Sequence, residues 1–415
     1  MCGPSIRMPV RASASQRSKG GRVRASAYVG LFALGIVSVV SFQVFAQQGP
    51  QSPVPVSGLT PAQQLAFQEG SRTFSKDYDV ADGLGPVFND HSCADCHRGA
   101  STGSNRTVTR FGRITNGVFD PLSELGGSLV QSRGIGSVTT VDGTHSFAAE
   151  RVPPEASVRT PRRTTALRGL GFVDAVPDET WVAIAQSEAA AGDGTAGRVH
   201  MVLDLATGKA AVGKFGWKAQ VPGLFQFSGD ALLNEMGITN PQFLDEACPQ
   251  GDCSALAFNP TPALNDDGRD VSALTDFMTM LAPPARGTIT DEVTAGESLF
   301  HEIGCGGCHR ALLQTGPSPV AALNRATFHP YSDFLLHDMG SLGDGIVQGQ
   351  AAGREMRTAP LWGLRSASRL LHDAAATTIE LAIQRHDGQA RAARERFEAL
   401  DAATVALLLA FLRSL

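Results

Sequence analysis

The chain reads as mainly α, built from two tandem domains, the first enlarged by β-hairpin and loop insertions. Three observations carry that reading. A Cys-x-x-Cys-His motif occurs twice, as Cys93-Ala-Asp-Cys96-His97 and Cys305-Gly-Gly-Cys308-His309. The segments around the motifs recur in the same order. Each half closes on an amphipathic helix, and the two helices match at a constant offset.

The elements follow from the N-terminus. Six basic residues, Arg7, Arg11, Arg17, Lys19, Arg22 and Arg24, precede an apolar run from Ala27 to Ala46, and no acidic residue occurs before Glu69. A basic start, an apolar stretch and the small-residue ending Val44-Phe45-Ala46 read as an export signal over residues 1–46. An uncleaved anchor is the alternative, because the run approaches the ~20 residues of a membrane span. Gly30, Gly35, Ser38, Ser41 and Gln43 weaken the span, so cleavage after Ala46 is expected. Without those six residues the chain carries 29 basic against 40 acidic side chains, a net charge of about −11. An acidic surface argues against nucleic acid or an anionic membrane as partner and suits a basic protein.

The rest of the composition, 42% hydrophobic and 18% charged over 415 residues, is that of an ordinary globular protein. Thr60-Pro61 opens a helix with an N-cap and a proline at the first position, leading to Gly70 and Phe74. Thr290 opens its counterpart, leading to Gly296 and Phe300 with the same spacing. After each motif comes a second matched block, Arg163-Thr-Thr-Ala-Leu-Arg-Gly-Leu170 against Arg357-Thr-Ala-Pro-Leu-Trp-Gly-Leu364. Val271, Leu274, Phe277 and Leu281 then match Val405, Leu408, Phe411 and Leu415. The extra length of the first half reads partly as strand: Arg198 to Trp217 alternates around Ala206-Thr-Gly-Lys209, a hairpin pattern. Leu281-Ala-Pro-Pro-Ala-Arg-Gly287 is a helix stop and linker, which puts the domains at 47–286 and 287–415.

Two cysteines at this spacing can add across the two vinyl groups of one haem, and the adjacent histidine supplies an iron ligand. Zinc is the main competing use of Cys-x-x-Cys, but here a histidine follows each motif directly. The cofactor expectation is therefore two covalently bound haem c, held by Cys93, Cys96, His97 and by Cys305, Cys308, His309. Cys248 and Cys253 lack a following histidine; in an oxidising compartment a small disulfide-closed loop is expected, with two free thiols as the alternative.

At this point the chain resembles the di-haem cytochrome c peroxidase superfamily, and within it the di-haem oxidoreductase branch, sometimes labelled thiol oxidoreductases. The resemblance spans roughly residues 58–415 and is carried by GLGPVFNDHSCADCH, RRTTALRGLGFVDAV, FGWKAQVPGLFQFSGDALLNEMGIT, LLHDMG and LLHDAAATTIELAIQRHDGQA. It implies two cytochrome c-like domains facing each other across their haems. His97 and His309 match the family's proximal ligands. The distal methionine of its electron-transferring haem falls on His386, which would make that haem His309/His386 ligated; Met339 is the alternative. Gln226 and Glu235-Met236-Gly237 resemble the peroxidases' glutamine and acid–base glutamate. Arg163 and Arg357 fit haem-propionate pairing.

Other positions depart from the family. The tryptophan between the haems would fall at Val173, leaving Trp181, Trp217 or Trp362 as substitutes. The asparagine of the calcium site falls near Gly169, so the resemblance carries no calcium ligand over at that position. His91 and His145 are candidates for a distal histidine near His97. The resemblance implies a periplasmic oxidoreductase in which peroxide, or another small oxidant or thiol-type substrate, reacts at the N-terminal haem, while a periplasmic electron donor or acceptor protein exchanges electrons through the C-terminal haem. A non-catalytic electron carrier or redox sensor is the alternative. Pyridine haemochrome analysis of the purified protein should return two haems per chain; a value of one means that either motif is misread.

Overall fold

The computed structural model describes residues 53–97 and 106–415; the expected export signal lies outside them. Among the described residues ten α-helices span Pro61–Phe74 (α1), Cys93–Cys96 (α2), Leu170–Asp174 (α3), Asp178–Ala191 (α4), Leu224–Met236 (α5), Arg269–Met280 (α6), Asp291–Glu302 (α7), Ile379–Gln384 (α8), Arg391–Glu398 (α9) and Ala402–Leu412 (α10). The β structure is confined to small two- and three-stranded antiparallel sheets. Mainly α is therefore the architecture.

The two leading helices begin as their sequences dictate. Thr60 Oγ1 accepts from the Gln63 amide at 3.3 Å while Gln63 Oε1 accepts from the Thr60 amide at 2.9 Å, a complete capping box. Thr290 caps α7 by accepting from the Val293 amide at 3.4 Å. Both helices then cross the closing helix of their own half through a glycine. A Cβ on Gly70 would lie 2.1 Å from the Ala273 carbonyl oxygen, and one on Gly296 would lie 2.0 Å from that of Leu407. The repeat thus extends to three-dimensional contacts.

It extends further to the rings. Phe74 lies 5.1 Å from Phe277 and 6.3 Å from His97; Phe300 lies 5.1 Å from Phe411 and 6.3 Å from His309. The matched Arg-Thr blocks dock on the ends of the closing helices in the same way: the Gly169 amide donates to the Leu281 carbonyl at 3.1 Å, and Gly363 to Leu415 at 2.8 Å.

Each closing helix has its own apolar cluster. Phe67, Phe74, Val271, Leu274 and Phe277 belong to one, and Val293, Phe300, Leu408, Phe411 and Leu415 to the other. The first cluster also takes Leu313, Leu323, Phe328, Phe334 and Trp362 from beyond the linker. Residues 47–415 accordingly form one compact unit.

The expected hairpin forms between Met201–Asp204 and Lys209–Val212. It is shorter than the alternation over 198–217, because Phe215 turns back to bridge Val221. This insertion is tied to residues 336–357 by a buried polar clamp. Arg198 pairs with Glu355 at 2.5–2.6 Å, and the His200 ring accepts from the Gln350 amide and faces the Lys218 carbonyl. Lys218, fully buried, reaches the carbonyls of Ala352 (2.9 Å) and Glu355 (2.5 Å) and the Asp344 carboxylate (2.9 Å). Asp344 is also paired with buried Arg162 at 2.6 Å. Cys248 and Cys253 form a disulfide, so the free-thiol alternative does not hold.

Removing one member of a buried ion pair strands its partner. Lys218→Ala is expected to cost about 3–5 kcal/mol, read as a lower denaturant midpoint with an unchanged slope.

Candidate haem sites and acid–base group

The first motif makes a single helical turn. Ser92 Oγ accepts from the Asp95 amide at 3.2 Å, and the His97 amide donates to the Cys93 carbonyl at 2.8 Å. Burial lowers the His97 pKa to about 4, which keeps the imidazole neutral, the form a metal needs. Burial also pushes the Cys93, Cys96 and Cys305 thiols up to about 12. Addition to a vinyl group leaves an uncharged thioether, which suits such surroundings.

The second motif opens onto a cavity of about 530 Å³. His309, Cys305 and Cys308 line it on one side and His386 on another. The His309 ring is fixed by Nδ1 lying 2.9 Å from the Tyr331 carbonyl, and that of His386 by Nδ1 lying 2.8 Å from the Ala382 carbonyl. Each ring thus presents Nε2 as its free nitrogen. Their centres are 6.4 Å apart. Two imidazoles bound to opposite sides of one metal at about 2 Å would hold their centres roughly 6 Å apart, so this pair fits a single iron between them. Met339 also lines the cavity.

The cavity wall carries matching polar groups. Arg163 donates through Nη1 to the Arg369 carbonyl, while its Nε is buried with no partner. Trp362 likewise has a buried, unpartnered indole N–H. Donors left open in this way fit the carboxylates of a haem. Arg357 differs, because its Nε already donates to the Gly216 carbonyl at 2.7 Å. Trp217, on the insertion, donates from Nε1 to the Arg163 carbonyl at 2.7 Å and meets His372 edge-on at 6.2 Å. Trp181 is buried against Phe334 and is absent from this wall.

Among the described residues one cluster, Cys308, Asp333 and His337, has metal-ligand spacing. His337 is held by Asp333 at 2.8 Å and lies 3.4 Å from Cys308 Sγ, so the cluster is the wall behind the second motif.

Glu235 ends α5 beside the first motif. Its Oε2 accepts from Asn89 Nδ2 at 2.9 Å, and its carbonyl accepts from the Asn89 amide at 2.8 Å. Asn89 cannot turn its amide over without loss, since its Oδ1 accepts from the Ser132 amide at 3.0 Å. Burial raises the Glu235 pKa, opposed by the Arg110 charge and the Asn89 bond. Glu235 in turn raises the pKa of Cys93 and Cys96, so its charge is felt at the attachment site.

Gln226 is not at that site. It lies nine residues earlier, on the opposite face of α5, with Oε1 accepting from the Leu205 amide at 2.9 Å and Nε2 donating to the Leu203 carbonyl at 3.3 Å. Both ends of its amide hold the inserted hairpin, so the paired role expected with Glu235 does not fit this geometry. His91 faces the Tyr78 carbonyl and Phe88, and His145 stacks on Phe258 at 3.4 Å. Asn89 and Arg110 are the site residues that sequence reasoning missed. Asn89 stands four residues before Cys93, but nothing in its spacing points to Glu235.

The model of the family described as "Di-haem oxidoreductase, putative peroxidase" matches residues 152–415, well over half the chain. The chain belongs to this family. The match begins beyond the first motif, which rests on its own residues and on the structural repeat. Membership implies two haem cofactors. Among solved structures, the chain is similar to the dihaem peroxidase BthA of Burkholderia thailandensis, at 16% identity and TM-score 0.40, covering 87% of each chain. It is also similar to a MauG-like protein associated with microbial copper homeostasis, at 15% identity and TM-score 0.39, over 90% of this chain and 95% of that one. A third is hydrazine synthase of Kuenenia stuttgartiensis, at 13% identity and TM-score 0.38, over 95% and 100%. No curated protein matches the chain.

Replacing an imidazole by a thioether favours ferrous iron. His386→Met is expected to raise one haem potential by on the order of 0.1 V, within the ~0.8 V range that axial ligands command. His386→Ala should convert one low-spin haem to high spin. Both are read by potentiometry and absorption spectra of the dihaem protein.

Proposed function

We propose that this chain is an exported di-haem c-type cytochrome that reduces peroxide at the haem held by Cys93, Cys96 and His97. In this reading the haem held by Cys305, Cys308 and His309 relays electrons, with His386 as its second ligand. The observation that carries it is the asymmetry of the two sites. One brings a second histidine ring, His386, to 6.4 Å from the ring of its motif, where the two would hold one iron. The other has an oriented carboxyl group, Glu235, beside its motif.

Bound haem supplies one-electron redox chemistry at each site. The residues of the chain supply proton transfer and position. Peroxide takes up two electrons and two protons to give two waters. Glu235 removes a proton from the near oxygen and returns it to the departing one, so the leaving group departs as water rather than hydroxide. Asn89 holds the carboxyl in place for both transfers. Arg163 and the Trp362 indole would bind the carboxylates of the relay haem, and His309 and His386 together would leave that iron no open position for peroxide.

The two domains of this reading divide at the linker, 47–286 and 287–415, each with a cytochrome c-like helix pair around its motif. Residues 1–46 direct export to the periplasm, where a donor protein completes the circuit. No helix among the described residues is long and apolar enough to cross a membrane.

Glu235→Gln should lower kcat for peroxide by about 10²–10⁴-fold while leaving haem content and the potential of the second haem unchanged. Because the Glu235 carboxyl titrates above the usual carboxylate range, wild-type activity should fall as pH drops through that raised value. This acid limb should vanish in the variant. Two low-spin haems that stay inert to peroxide when oxidised and when one-electron reduced would assign the chain to electron carriage instead.

A further inference from the structure

A second cavity, of about 280 Å³, opens at the linker between the two halves. Its walls are Phe172, Phe328 and Trp362, with Arg286 and Pro283 beside them and His329 at the exposed rim. Phe328 lies 5.4 Å from Phe172 and 5.9 Å from Trp362, with the ring planes tilted by about 40°. An apolar cavity of roughly 150 Å³ takes up benzene, so this slot has room for a single substituted ring.

Two features set it apart from a packing gap. Trp362 lines both this slot and the cavity of the second motif, so one indole separates a ring bound here from the relay haem. At the inner end, Arg286 is engaged by Glu297 at 3.0 Å through Nη2, while its Nε is buried and unpartnered. Glu297 is further occupied by the Tyr331 hydroxyl at 2.6 Å. Arg286 lines the slot, so a small turn of its guanidinium would bring this donor to an oxygen on the ring.

We propose that the slot binds a hydroquinone-type aromatic reductant and admits its electrons through Trp362 to the second haem. One ring oxygen accepts from Arg286 Nε, the ring packs among Phe172, Phe328 and Trp362, and the second oxygen faces the rim beside His329. A hydroquinone becomes a quinone by losing two electrons and two protons. Two bound haem c groups would provide the two one-electron acceptors this needs, and both protons leave to solvent through the open mouth of the slot, the inner one once the ring turns or departs. The same two electrons, with two protons, turn one peroxide into two waters. This inference rests on the haem occupancy proposed above, but not on the reaction with peroxide.

The test uses the oxidised dihaem protein without peroxide. Equilibrium dialysis with hydroquinone dimethyl ether, which cannot be oxidised in this way, should show binding with Kd on the order of 0.1–1 mM. Reduction of the haems by hydroquinone should saturate with concentration and be competitively slowed by the ether. Thr327→Trp, at the exposed rim, should weaken both by at least ~10-fold while reduction by dithionite is unchanged. Absence of binding, reduction that rises linearly with hydroquinone, or a Thr327→Trp protein that behaves as wild type would overturn the proposal. Should that variant not fold, competition by the ether in the wild-type protein decides alone. A protein that passes these tests yet leaves peroxide untouched keeps the slot and loses the peroxidase reading.

Discussion

The close crossing of two helices through a single glycine is the constraint on which both haem sites depend. At Gly70 and again at Gly296 the leading helix presses its backbone against the closing helix, in a space where any side chain would strike a carbonyl. That approach places Phe74 and Phe300 against the closing-helix phenylalanines and leaves each at the same distance from the histidine of its motif. The histidine is thus positioned by apolar packing before any metal is considered. Buried packing also keeps it neutral, which is the condition for ligation. Packing and coordination chemistry are here one arrangement used twice.

The two copies then diverge by what is added to them. The second half adds α8, which brings His386 to face His309. The first half adds the hairpin insertion and α5, which end on Glu235 and on Trp217. These additions do not stay within their own half: the Trp217 segment runs along the wall of the second cavity, and Trp362 of the second half packs into the first core. A chain of two copies has become one body by exchanging side chains across the linker. The site asymmetry needed for a two-centre redox enzyme arises in the additions, while the repeated elements keep the two iron positions alike.

How much of this was legible in the sequence follows from the range of the interactions. Helix starts at Thr60 and Thr290, the hairpin at 201–212 and the matched blocks depend on neighbours in sequence, so local chemistry announces them. The glycine crossings were visible only as a shared spacing, because the carbonyls they meet are about 200 and 110 residues away. His386 was reached through the family resemblance, and the structure brings it opposite His309. Gln226 and Glu235 were paired by the same resemblance. A separation of nine residues, however, is two and a half turns, which points them to opposite sides. Asn89 could not be found at all, since its meaning lies in a hydrogen bond to a residue 146 positions later. Polar contacts between distant segments leave no periodic trace.

The clamp around Lys218 bears on motion. Swinging the halves apart would break the pairs of Asp344 with Lys218 and Arg162 and the Lys218 bonds to the Ala352 and Glu355 carbonyls together. With about 1.5–3 kcal/mol for each hydrogen bond to a charged group, losing several at once keeps an open state scarce. A hinge between the halves is therefore a poor candidate for gating. In the proposed reading, entry of a small oxidant is then controlled locally, through side chains and short loops. The distance between the two histidine motifs is set by the fold.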